Sequence, residues 1–134
     1  MNKEKCVEVF NKQLNDFIND LITVYPKDDD LYTFKTSIKM LSLVDDKKVL
    51  RMFKEFVYDK YKDPLMAKDS EFFLQNNYNE FVNGNFDAQA NPEVTEQLIN
   101  KIKSYWKEMS TANREIVWSY LQVLIKLTEK FIGF

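Results

Sequence analysis

Histidine is absent from this sequence, and cysteine occurs once, at Cys6. The first absence removes the commonest general base and the commonest metal ligand. The second excludes an internal disulfide and any cysteine-built zinc site. Glycine is nearly missing too, with two residues, and proline has three. Barrels and sandwiches need many tight turns, and this chain lacks the residues for them. There is no glycine-rich phosphate loop and no His-containing triad. No apolar run approaches the ~18 residues of a membrane-spanning helix. The N-terminus MNKEKCVEVF is charged and does not read as a signal peptide. No Asn-x-Ser/Thr site occurs. Charge of either sign is not in excess: 19 basic residues mix with 21 acidic ones for a net −2, which leaves no electrostatic footprint for nucleic acid. The expected setting is intracellular and reducing.

What the chain has is apolar and aromatic side chains. Its 134 residues fit one domain over 1–134, 45% of them are hydrophobic, and 11 Phe and 7 Tyr predict a ring-rich core. The organising stretch is Glu115 to Leu127, EIVWSYLQVLIKL. Glu115, Ser119, Gln122 and Lys126 fall on one narrow polar stripe of a helix, and the rest is apolar. Such a helix needs cover on several sides. The expectation is an all-α, single-domain bundle of about five helices around a buried C-terminal helix.

Earlier segments supply the cover. Cys6, Val9, Phe10, Leu14, Phe17, Ile18, Leu21 and Val24 recur at three and four, predicting a first helix from about Lys3 to Tyr25, ended by Pro26. Asp28-Asp29-Asp30 follows. An EF-hand counted from Asp28 would need Gly and Glu where Thr33 and Lys39 stand, so Asp29 or Asp30 is expected to cap the next helix. That helix runs from about Leu31 to Val44, with Leu31, Phe34, Ile38 and Leu41 inward. A third runs from about Lys47 to Tyr61, with Val49, Leu50, Phe53, Phe56, Val57 and Tyr61 inward, and Asp63-Pro64 is expected to close it. The join at Asp45-Asp46 makes these two a hairpin. From 62 to 91 the pattern is less regular, with a short helix starting near Ser70 and a long loop pinned by Phe72, Phe73, Tyr78, Phe81 and Phe86. Asn91-Pro92 reads as the start of the fourth helix, which turns Val94, Leu98, Ile102, Tyr105, Trp106 and Met109 inward and Lys101, Lys103 and Lys107 outward. Ser110 or Thr111 caps the fifth, and Gly133 closes it.

Scattered residues along the chain resemble an uncharacterised family of small helical proteins of the nucleocytoplasmic large DNA viruses (giant and algal viruses). They are Phe10-Asn11, Gln13-Leu14, Phe17 and Tyr25-Pro26; then Glu71-Phe72-Phe73-Leu74; then Tyr105-Trp106-Lys107, Met109-Ser110, Asn113 and Val117 to Leu124. The resemblance implies a viral protein in the host cytoplasm or the virion, and it transfers no catalytic residue. The bias to Lys, Asn, Ile and Phe fits an AT-rich genome.

No catalytic, cofactor-binding or metal-binding residues are assigned, and no cofactor is expected. Glu115 reads as a dipole-stabilising residue at a helix start, Cys6 as a small core residue, and Trp106 and Trp118 as core. The expected function is a non-enzymatic protein–protein interaction or structural module, such as a virion component or an adaptor. Its candidate surface is Tyr78, Phe81, Phe86, Phe131 and Phe134, engaging a protein partner or a second copy. The alternative is a weak nucleic-acid-binding accessory protein using a basic patch of Lys101, Lys103, Lys107, Lys126 and Lys130. The acidic balance favours a solvated face there. A second alternative is an enzyme working with carboxylates alone.

Overall fold

The computed structural model describes residues 1–75 and 93–134. Among them the chain is all-α, with no strand. Helix α1 is Lys3–Val24 and α2 is Asp29–Val44. Helix α3 passes without a break through Lys48–Phe53, Lys54–Tyr58 and Asp59–Met66. A short α4, Ser70–Gln75, follows, then α5, Val94–Tyr105, and α6, Thr111–Ile132. Asn91-Pro92, the expected start of α5, lies outside the described residues; Glu93 caps the helix, accepting from the Thr95 and Glu96 amides.

Two boundaries differ from the sequence expectation. Asp28, not Asp29 or Asp30, is the N-cap of α2, accepting from the Asp30 amide. Pro64 does not close α3 but sits inside its last turns. Proline forfeits one helix bond at a cost of about 3 kcal/mol. Leu65, just beyond it, is fully buried, which returns about 1.5–3 kcal/mol. The helix ends instead where Lys68 turns left-handed at φ 54°. There the Asp69 amide donates to the Pro64 carbonyl and the Lys68 amide to the Leu65 carbonyl, which is a Schellman closure.

The helix that meets all the others is α3 rather than α6. Its buried row is Val49, Phe53, Val57, Tyr61 and Leu65, spaced by four throughout. In an α-helix each step of four overshoots a full turn by roughly 40°, so four steps would carry Leu65 about 160° round from Val49. The turn at Lys54–Tyr58 is wider: the Asp59 amide donates five residues back to Lys54. One such π turn winds the row back and keeps all five side chains on the core.

Helices α1 and α6 lie antiparallel. Cys6 donates its thiol to the Leu127 carbonyl at 3.2 Å near one end, and Tyr120 reaches Asp20 further along. Burial pushes the Cys6 thiol up, against the pull of Lys130, so it sits in the core as a small protonated residue. Helix α6 buries Val117, Trp118, Leu121, Leu124, Ile125 and Thr128 against α1 and α3. Its remaining edge is open, so the cover expected on several sides comes from α1 and α3.

The turn between α1 and α2 is fastened to α5. Tyr25 stacks on Tyr105 at 3.8 Å. Asp28 accepts from the Tyr105 hydroxyl, and Lys101 bridges Asp28 at 3.3 Å and Asp30 at 2.7 Å. Burial pushes the Asp28 carboxyl up, but the bonds from Tyr105, Lys101 and the Asp30 amide outweigh it and hold the carboxyl below its ordinary value. Asp28 therefore contributes stability at neutral pH that is lost as pH falls below the ordinary carboxylate range. Asp28→Ala removes both the cap and the anchor, with an expected loss of about 2 kcal/mol. Thermal circular dichroism checks this as a midpoint lowered by roughly 6 °C.

Candidate interaction surface

The described candidate residues are spread over the fold. Tyr78, Phe81 and Phe86 lie outside the described residues. Phe131 is half-buried against the core with Lys3 Nζ 4.8 Å over its ring, while Phe134 is exposed. The lysines are dispersed. Lys101 is tied to Asp28 and Asp30 at the end of α1. Lys126 and Lys130 are exposed on the last turns of α6, beside the start of α1. The 22 residues of α1 put roughly 30 Å between them. Lys107 is exposed just past α5.

Lys103 does not face outward as expected. It turns in, half-buried, with Nζ 2.8 Å from the Tyr61 hydroxyl, 4.6 Å from the Tyr61 ring centre and 5.1 Å from that of Phe73. Burial and the nearby Lys60 charge lower its ammonium to about 8, against the opposing pull of Glu96. The folded chain thus holds this proton less tightly than the unfolded one, so its contribution to stability rises with pH above about 8. Above pH 10 the Tyr61 hydroxyl, pushed up to about 12 chiefly by burial, opposes that gain. A titration of the Lys103 side-chain carbon followed by NMR is expected to have its midpoint near 8.

Glu115 is exposed and pairs with Lys68 at 2.7 Å. No group of three or more potential metal ligands occurs among the described residues. No helix there is long and apolar enough to cross a membrane.

What the fold does build is an apolar groove between α1 and α6. Its deep part, about 280 Å³, lies where the end of α1 meets the start of α6. Phe17, Leu21, Met109 and Val117 form its floor, with Val24 and Ile116 at the rim. Val24 is 41% exposed and Ile116 47%. A shallower part continues along α6 past Ile116, Ser119, Tyr120 and Val123 toward Gln13. Phe17 stacks on Tyr120 at 4.9 Å and stiffens the wall. Among the described residues, the only charged ones in the two linings are Asp20 and Glu115. From Asn113 to Val123 the groove follows about three turns of α6, or ~15 Å.

A second apolar surface stands at the end of α2. Met40, Leu43 and Val44 are 62%, 78% and 89% exposed, and their spacing of three and four puts them in one patch. They lie off the face of Leu31, Phe34 and Ile38 that α2 buries. Reading only the inward face of each helix passed over this patch and the rim of the groove. The signal was available for α2, where three large apolar residues fall outside the stripe.

No family model, curated protein or solved structure matches this chain.

Proposed function

We propose that this protein is a non-enzymatic protein–protein interaction or structural module, with the α1–α6 groove as its docking surface. One observation carries the reading: Val24, Ile116 and Val123 stand open along a single apolar groove. Grooves of this length take the apolar face of a partner helix through anchors spaced by three and four. The viral setting implied by the resemblance belongs to the same proposal, as a virion component or an adaptor. The separation of Lys101 from Lys126 and Lys130 supplies no continuous track for a nucleic-acid backbone.

The test is capture of the tagged protein from its native cells, washed at low and high salt. A partner that survives high salt and is lost from the Ile116→Asp variant is expected. Capture that collapses in salt and ignores Ile116→Asp would overturn the reading.

A further inference from the structure

We propose that copies of this chain associate head to tail, with the exposed end of α2 in one copy seated in the α1–α6 groove of the next. This rests on the reading of the groove as a protein-docking surface and names its occupant. The two surfaces fit in kind. Met40, Leu43 and Val44 present aliphatic side chains at i, i+3 and i+4, the spacing a helix uses to anchor in a groove. The deep part of the groove holds about 280 Å³, close to twice the ~150 Å³ apolar cavity that accepts a benzene. That is room for anchors of aliphatic size.

They also fit in charge. Lys39 stands one step of four before Leu43, about 40° round α2, and Lys35 one step further, about 80° round. Both are exposed, and neither is in an ion pair among the described residues. No Lys or Arg among the described residues lines the groove. Of the two carboxylates among its described lining residues, Glu115 already pairs with Lys68, while Asp20 accepts from the neutral hydroxyl of Tyr120. The acidic residues next to the patch are Asp45 and Asp46. Asp45 is engaged by the Lys47 amide and, at 3.9 Å, by Arg51.

Position makes the contact intermolecular. The end of α2 lies beside the first half of α1, where Asn11 donates to the Asp46 carbonyl at 3.0 Å. The deep part of the groove lies at the other end of α1, by Val24 and Tyr25. The patch therefore reaches the groove of a second copy, and each added copy exposes a fresh patch and a fresh groove. Such a head-to-tail contact propagates wherever its rotation does not close. A three-residue patch is small beside the ~1,200 Å² of a stable interface, so the association is weak and concentration-dependent.

Sedimentation velocity over a concentration series tests this on the wild type, Leu43→Asp and Ile116→Asp. Both substituted positions are exposed, and thermal melts confirm that the variants stay folded. The wild type is expected to rise above its 16.0 kDa monomer mass with concentration, and each variant alone to remain at that mass. Leu43→Asp keeps an intact groove and Ile116→Asp an intact patch, so a mixture of the two is expected to form 1:1 dimers and nothing larger. A wild type that stays monomeric up to its solubility limit overturns the proposal. So does association that survives either substitution, or a mixture that stays monomeric. A monomeric wild type whose capture of another protein is still abolished by Ile116→Asp would end self-assembly and leave the docking-surface reading standing.

Discussion

Trp118→Ala is expected to lower the unfolding free energy by about 3–5 kcal/mol, a large share of the ~5–15 kcal/mol that holds a domain of this size. Trp118 meets Trp106 edge to face at 4.9 Å and Phe73 at 5.9 Å. Phe73 in turn meets Trp106 at 6.2 Å and Tyr61 at 5.4 Å. These four rings join α3, α4 and α6 to the chain just past α5. Truncating one leaves a cavity walled by rigid rings that cannot collapse into it. Urea unfolding followed by far-UV circular dichroism measures the loss as a lower midpoint at unchanged slope. The near-UV signal of the native state should weaken with it. Trp106→Ala combined with Trp118→Ala is expected to cost less than the sum of the two, because the rings share a contact. Strict additivity would show that the cluster does not act as a unit.

Deleting one residue from α1 and one from α3 is expected to give opposite results. Loss of the exposed Asn15 rotates everything after it by roughly 100° about the helix axis. Phe17, Ile18 and Leu21 then leave the core. At about 1.5–3 kcal/mol each, their exposure consumes most or all of the stability, and the protein should be unfolded at 25 °C. Loss of the exposed Glu55 falls in the π turn. The wide turn can tighten to an α turn, and the buried row then reads four, three, four, four, which a plain α-helix keeps on one side. That variant should stay folded, with a helical far-UV spectrum and a cooperative melt. An unfolded Glu55 deletion beside a folded Asn15 deletion would refute the account of why α3 carries a π turn.

Much of the fold was legible from apolar spacing. Helices α1, α2, α5 and α6 lie within a few residues of where periodicity placed their apolar faces. The short helix at Ser70 and the Ser110 cap of α6, which accepts from the Asn113 amide, were readable as well. The end of α3 was not. Pro64 reads locally as a stop, and only the burial of Leu65 beneath α6 makes it worthwhile to continue through it. The π turn was partly readable: an apolar row with period four and no three is too long-stepped for an α-helix, and the remedy is visible only where the other helices fix the row's direction.

The candidate surface shows the same division. By its own composition the sequence determined that this protein is helical, ring-rich and without histidine-based chemistry, because those properties follow from residue counts and periodicity. It determined that α6 is apolar over most of its circumference. Only the tertiary structure decided that Ile116 and Val123 on that helix stay open while Leu124 and Ile125 are buried. It likewise decided that Lys103 turns in under the rings of Tyr61 and Phe73 while Lys107, four residues on, faces water. The physical reason is that periodicity specifies which side chains share a face of a helix. Which faces find a partner depends on how the helices are placed around α3, and that placement is set by contacts between residues far apart in the chain.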